Sequence, residues 1–392
     1  MFIRYYMNSL IKPYKIIILF WSFSTFLFCN ELNSLNIRKE LSLVDALNGY
    51  SFLVAGHTYG TPSASLFPAA SLIYGIDNIN NLDIEFFILL GDIIQHQIKS
   101  KNIGELEIEI FKKTIVEQVS VPILNSPGNH DVVNRELYDY YFGKSFFDFQ
   151  IGSEIFIVLD SEIIEGDIKG EQLNYILELL ESVNTNTSIN NIFIFIHKTL
   201  WAVNNPILNT IDPWVNGPRK GKVNNFEEKI LPKLDSISNS KDIYIMSGDI
   251  GIKNYILGKF PQESFSLFYH KDKNNITYLA SGLAENNNDA VIKVNISSDG
   301  VVSFKPISLL GDSLNNIEHY GISYWNNIYG KELNNFKQDE KSLLNNKALS
   351  NSFFIKIKKL IIHRYFFYGY TSAVLSIIFL FFFYIRIFNK KP

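Results

Sequence analysis

Between about residues 40 and 310 the chain alternates short, almost wholly apolar runs with longer amphipathic stretches, and that alternation leaves few architectures open. The runs at 50–55, 84–90, 121–124, 154–159, 191–196 and 242–246 are dominated by Ile, Phe, Leu and Val and are too short to be buried helices. Between them lie helix-like stretches at 65–80, where Pro68 fits a first turn, and at 105–119, 171–183 and 225–237. Strand–helix–strand alternation predicts a layered α/β domain. From Phe265 onward the runs SFSLFYH, NITYLAS, AVIKVNI and VVSFKPI follow closely, with turns such as SSDG between them. They predict antiparallel strands that close the sheets. No internal repeat is present.

The 392-residue chain is long enough for one large domain, and with 47% hydrophobic and 19% charged residues it is able to bury a sizeable core. A formal charge of −3 gives no basic surplus, which argues against nucleic-acid binding by phosphate neutralisation. The single cysteine, Cys29, excludes an intrachain disulfide and a cysteine-based zinc site.

Both ends point to a membrane. Arg4, Lys12 and Lys15 precede the apolar run 16–28, the layout of a secretory signal, so residues 1–30 are expected to be a signal peptide or an N-terminal anchor. Residues 365–385 contain no charge and include AVLSIIFLFFFYI. At about 1.5 Å per residue that length crosses a hydrocarbon layer of ~30 Å. A transmembrane helix is therefore expected at 365–387, with tyrosines at both interfaces and 388–392 as a cytoplasmic tail. Basic residues flank the span on both sides, so orientation rests on the N-terminal signal, which sends the central domain (40–312) out of the cytoplasm. The polar, Asn-rich stretch 313–364 is expected to be a linker or stalk.

Polar residues cluster where the apolar runs end, the place where α/β folds put their ligands. YSFLVA is followed by GHTYG, with His57 and Tyr59; IEFFILL by Gly91–Asp92; VPILNSP by GNHD, with Asn129, His130 and Asp131; NIFIFI by His197; and DIYIMS by Gly248–Asp249. One such end means little, because Gly-Asp is a common turn pair. Five in chain order, each with an oxygen or nitrogen donor, make a candidate metal site.

On these residues the chain resembles the calcineurin-like metallophosphoesterases, whose motifs run G-D-x-H-G, G-D, G-N-H-[DE], a lone His after a strand, and G-H-x-H. The matching blocks here are 56–60, 91–92, 128–131, His197 and 248–251, so the resemblance spans about residues 50–307. It implies an α/β fold of two packed mixed sheets flanked by helices, a four-layer arrangement, to which the C-terminal membrane helix is added. It also implies that Asp92 bridges two divalent ions, that Asn129 and His197 bind the second, and that Asp249 stands where that ion normally takes a His. A carboxylate there favours harder ions, so Mn²⁺ is expected, with Zn²⁺, Mg²⁺ or iron as alternatives.

The first ion's position departs from the family. His57 replaces an Asp, Tyr59 a His and Gly251 the final His, so one ion is expected to bind tightly and the other weakly or not at all. A second register pairs Ala55 and His57 with the Asp and His of the first block; the glycines at 56 and 60 favour the first. Tyr59 reads more readily as a packing aromatic than as a ligand. Gln95 stands where part of the family has an Asp that orients the catalytic His, and it excludes the tyrosine ligand of the purple acid branch.

The implied chemistry is phosphoester hydrolysis by a metal-activated hydroxide, with the ions neutralising charge on the phosphoryl oxygens. His130 would donate a proton to the leaving oxygen. The expected function is hydrolysis of a phosphomonoester or phosphodiester by a membrane-anchored domain. The alternative is a pseudoenzyme that keeps the fold as a binding or scaffold domain of the cell envelope.

Overall fold

The computed structural model describes residues 32–328, apart from 61–65, 96–99, 165, 204–223, 252–264, 273 and 286. The expected signal, membrane helix and tail, most of the expected linker, and His96, Trp214 and His363 lie outside these residues. Among the described residues no helix is long and apolar enough to cross a membrane. The first of two compact units comprises residues 1–253 and 263–326; the second, 254–262 and 327–392, is almost wholly outside the described residues.

The strands are β1 (Tyr50–Ala55), β2 (Phe86–Leu89), β3 (Ile123–Asn125), β4 (Phe147–Ile151), β5 (Glu154–Val158), β6 (Asn191–Ile196), β7 (Asp242–Ser247), β8 (Leu267–Lys271), β9 (Ile276–Ser281), β10 (Ala290–Ile296) and β11 (Val302–Ser308). They form a five-stranded sheet in the order β11-β10-β1-β2-β3 and a six-stranded sheet in the order β4-β5-β6-β7-β9-β8. In the first, β1, β2 and β3 run parallel, while β10 is antiparallel to both β1 and β11. In the second, β5, β6, β7 and β9 run parallel between antiparallel edges β4 and β8.

The two sheets pack face to face through phenylalanines. In NIFIFI the period of two sends Phe193 and Phe195 to one face and Ile192, Ile194 and Ile196 to the other, and all six β6 residues are buried. A strand buried on both sides needs a layer on each. The Phe52 ring of the first sheet lies 5.5, 5.6 and 6.1 Å from those of Phe156, Phe193 and Phe195 in the second, all edge to face. Burying each such ring contributes on the order of 1.5–3 kcal/mol.

Helices cover the outer faces. They are α1 (Ser34–Leu41), α2 (Ala70–Asn80), α3 (Lys101–Phe111), α4 (Arg135–Phe142), α5 (Gly170–Thr185) and α6 (Leu231–Ile237). Leu72, Ile76 and Ile79 of α2 and Ile108 and Phe111 of α3 pack with Leu53, Ala55, Phe87 and Leu89 of the first sheet. The expected α/β class with two packed mixed sheets and flanking helices is thus the observed one.

Several local expectations differ from what is observed. Pro68 precedes the N-cap Ala69 of α2 and so lies outside its first turn. Of the four late strands, β9 runs parallel to β7, since it continues the β5-β6-β7 series on the far side. Helices α1 and α4 and strand β4 were not anticipated, although Asn134 caps α4 by accepting from Leu137 N at 3.1 Å. Inside the stretch read as a linker, Ile317, Tyr320 and Trp325 are buried, and Trp325 Nε1 donates to Leu267 O at 2.9 Å.

Candidate metal centre

The C-terminal ends of five parallel strands, β1, β2, β3, β6 and β7, face one another across the junction of the two sheets, and backbone bonds tie their loops together. His57 N donates to Gly91 O (2.9 Å), Tyr59 N to Asp92 O (3.1 Å), and Gly248 N and Asp249 N both to His197 O (2.9 Å). Leu283 N, after β9, reaches Gly56 O at 3.1 Å and so joins the two sheets. Such approaches exclude side chains from the backbone in between. A Cβ on Gly128 would lie 2.3 Å from both Asp92 N and Asp92 Oδ1, and one on Gly248 would lie 2.0 Å from Leu90 O. His57 (φ 51°) and Asp92 (φ 55°) hold left-handed backbone, which costs a non-glycine residue about 1–2 kcal/mol. At both positions the strained turn lets the side chain re-enter the cleft that its strand has just left.

Four of the residues singled out by sequence meet there. Ligand atoms of Asp92, His197 and Asp249, all buried, lie within 4.8 Å of one another. His197 Nε2 is 3.5 Å from Asp92 Oδ1 and 3.7 Å from Asp249 Oδ1, and His57 Nε2 is 3.9 Å from Asp92 Oδ2. Each imidazole is oriented by its other nitrogen. His57 Nδ1 lies 3.1 Å from Leu283 O and His197 Nδ1 2.7 Å from Leu90 O. A carbonyl only accepts, so both Nδ1 atoms carry the proton and both Nε2 atoms carry lone pairs. Burial holds both rings neutral, lowering His57 to about 4 and His197 well below the ordinary histidine value. Burial, then Asp131 and Asp249, push the Asp92 carboxyl well above the usual range.

Nitrogen lone pairs therefore face carboxylate oxygens at 3.5, 3.7 and 3.9 Å, and neither Nε2 has a hydrogen-bond partner among the described residues. Two buried acceptors aimed at a third are unfavourable unless a proton or a cation lies among them. Imidazole nitrogen with carboxylate oxygen is also a donor set suited to a divalent ion. The residues present fit a metal: Asp92, His197 and Asp249 would hold it, with His57 on the flank at the second Asp92 oxygen.

His130 sits beside this cluster and is half-buried. Its backbone N donates to Asp92 Oδ1 (3.0 Å), its Nδ1 lies 3.2 Å from the backbone carbonyl of Gln95, and Tyr59 Oη is 3.3 Å from its Nε2. The orienting acceptor is thus the Gln95 main chain, which no side-chain motif reveals. Tyr59 packs between His57 and His130, with ring centroids at 4.3 and 4.8 Å. Burial, Asp92 and Asp249 raise its phenol, which stays a neutral hydroxyl. A Cβ on Gly251 (φ 104°) would lie 2.5 Å from the carbonyl carbon of Gly282, so no histidine fits that position.

Three further residues complete the site. Asp131 is buried and accepts four backbone N–H groups, from Asp92, Ile93, Ile94 and Gly128, which shape both loops around the centre. Burial pushes its carboxyl up to about 6 while those four bonds hold it down. Lys198 Nζ donates to Asn129 Oδ1 (2.8 Å) and to Asp249 Oδ2 (3.0 Å), and Glu162 Oε1 is 3.8 Å away. Burial works against the Lys198 charge, but Asp249, Glu162 and Asp92 outweigh it and hold the ammonium above the ordinary lysine value. Burial lifts Glu162 to about 7, against the pull of Lys198. Asn129, read as a metal ligand, is therefore engaged by a lysine.

No protein-family model matches the chain, and no curated protein matches it in sequence. Solved structures similar to it include a purple acid phosphatase from yellow lupin (Lupinus luteus) seeds, at TM-score 0.44 and 12% identity over 68% of this chain and 53% of that one. The chain thus spans about half the length of the lupin protein. A dimetal phosphatase from Danio rerio aligns at TM-score 0.46 and 11% identity, over 69% of this chain and 99% of that one. A single-substitution variant of Vps29 from Entamoeba histolytica aligns at TM-score 0.26 and 10% identity, over 66% and 98%.

Proposed function

We propose that the chain is a metal-dependent phosphoester hydrolase held at a membrane by its C-terminal segment, with the α/β domain outside the cytoplasm. One observation carries the catalytic reading: two buried imidazole Nε2 lone pairs, on His57 and His197, aim at the carboxylate of Asp92 with nothing to bond them. The ordered strand-end donors and the two-sheet topology support the same reading.

A divalent ion held by Asp92, His197 and Asp249 would supply an acidified water and positive charge against the phosphoryl oxygens. The chain's own residues do the rest. Asp92 and Asp249 place their carboxyl groups in a buried cleft, and the backbone of Asp131's loops fixes where Asp92 points. His130 keeps a proton on Nδ1 through the Gln95 carbonyl, so a second proton enters on Nε2, beside Tyr59 Oη. From Nε2 it passes to the departing oxygen. Tyr59 holds the ring in that orientation by a tilted ring contact and by its hydroxyl.

A second reading, a binding domain without turnover, draws on two observations: Asn129 is taken up by Lys198, and Gly251 has no room for a ligand. The test is hydrolysis of a chromogenic phosphomonoester and phosphodiester by the full-length chain in detergent, stripped by chelator and resupplied with Mn²⁺, Zn²⁺, Mg²⁺ or Fe²⁺. Turnover that needs the ion and disappears in Asp92→Asn supports the enzyme. No turnover with any ion, in a folded protein, favours the binding domain.

A further inference from the structure

We infer that Lys198 is a resident cation of this centre, occupying with its ammonium the oxygens a second metal ion would need, so that the site takes a single divalent ion. The inference rests on the metal-dependent reading above and specifies the charge of its site.

Lys198 is the residue after His197, at the end of β6, and its side chain is 12% exposed. A surface lysine trails into water; this one is enclosed by acceptors. Its Nζ lies 2.8 Å from Asn129 Oδ1, 3.0 Å from Asp249 Oδ2 and 3.8 Å from Glu162 Oε1. The Asp249 carboxylate is divided between two tasks: Oδ1 faces His197 Nε2 at 3.7 Å, and Oδ2 receives the ammonium. Glu162 follows β5, another of the parallel strands, and its side chain is 4% exposed. Nothing but Lys198 brings positive charge to it among its described ion pairs.

The donors thus sort into two groups. One is the trio Asp92, His197 and Asp249 Oδ1, with an unpartnered nitrogen lone pair that an ion would satisfy. The other is Asn129 Oδ1, Asp249 Oδ2 and Glu162, whose lone pairs point at an ammonium already present. A second ion at Asn129 would sit within a few ångströms of that ammonium, in a buried place where like charges are poorly screened. Lysine is a compact charge with three donors, two of which the geometry commits to Asn129 and Asp249. The third is left to face Glu162 or, in a substrate complex, a phosphoryl oxygen.

The experiment uses the full-length chain in detergent, titrated with Mn²⁺ and checked by elemental analysis after dialysis. Wild type is expected to bind one ion per chain. Lys198→Met, of similar length without charge, frees Asn129 and Asp249 Oδ2 and is expected to bind two, with a larger Mn²⁺-induced rise in melting temperature than wild type. Lys198→Arg is expected to stay at one. Asn129→Ala is expected to weaken Mn²⁺ binding less than 3-fold, since Asn129 serves the lysine. Two tight ions in wild type, a Lys198→Met protein with one ion at unchanged affinity, or a loss of 10-fold or more in Asn129→Ala would each overturn the inference. If Lys198→Met does not fold, the wild-type count and Asn129→Ala decide. No ion in wild type but one in Lys198→Met would sink the metalloenzyme reading while keeping Lys198 as the resident cation; no ion in either would sink both.

Discussion

Asp131→Asn removes one atom's worth of acceptor from a place where four donors converge. Asp131 is 4% exposed, and its Oδ2 accepts from Asp92 N (2.9 Å) and Gly128 N (2.8 Å) while Oδ1 accepts from Ile93 N (2.8 Å) and Ile94 N (3.3 Å). An amide has a single acceptor oxygen, so in either rotamer two buried N–H groups lose their partner and meet an NH₂ instead. Leaving a buried donor unsatisfied costs about 1–3 kcal/mol, or about 2–6 kcal/mol for the two. Removing a negative charge beside Asp92 offsets a part, which leaves a net loss of about 2–4 kcal/mol, a substantial share of a typical stability. For a domain of this size that lowers the melting temperature by roughly 3–7 °C. The fluorescence of the buried Trp201 and Trp325 reports the transition without a probe. Asp92 also loses the scaffold that aims it, so Mn²⁺ affinity is expected to fall together with the melting temperature. A shift below about 1 °C would refute the claim that Asp131 builds the loops of the centre.

Other perturbations follow from the same geometry. His130→Ala is expected to slow phosphoesters with poor leaving groups by about 10²–10⁴-fold and activated aryl esters far less, with metal content unchanged; equal losses on both, or loss of metal, would remove its role as acid. Gly251→His, which restores the histidine of the resembled family, is expected to lower the melting temperature and add no ion, because its Cβ would meet the Gly282 carbonyl carbon at 2.5 Å; a gain in metal affinity would contradict this. Protease added to intact cells, with any outer layer permeabilised, is expected to digest the α/β domain; protection until lysis would place it in the cytoplasm.

The parallel strands could be read from the chain because they are buried on both faces. YSFLVA and NIFIFI are continuous apolar runs bounded by polar residues, and β1 and β6 coincide with them. The direction of β9 was not readable in that way: an apolar run is silent about which neighbour it pairs with, and pairing with β7 makes it parallel. Strand β4 does show alternation, in FDFQI, and the period of two was the signal that would have found it. In the centre, His57, Asp92, His197 and Asp249 were found because strand ends were inspected in order. Glu162 was missed because it lies four residues beyond the last residue of β5, away from the polar residues that directly follow the other apolar runs. Lys198 was missed because a lysine after an apolar strand is indistinguishable from a surface lysine until Asn129, Asp249 and Glu162 are seen around it. The Gln95 carbonyl that orients His130 belongs to the main chain, which carries no residue signature.

The central claim is that the Nε2 lone pair of His197, together with the carboxylates of Asp92 and Asp249, binds the metal ion. Pulsed electron paramagnetic resonance of Mn²⁺ bound to the full-length chain reads directly bound imidazole nitrogen through its coupling to the electron spin. The account predicts such a coupling in wild type, its replacement by a ¹⁵N pattern when histidine is labelled, and its loss or sharp weakening in His197→Ala. Mn²⁺ bound with no imidazole nitrogen coupling, or with a coupling that His197→Ala leaves intact, would contradict the account.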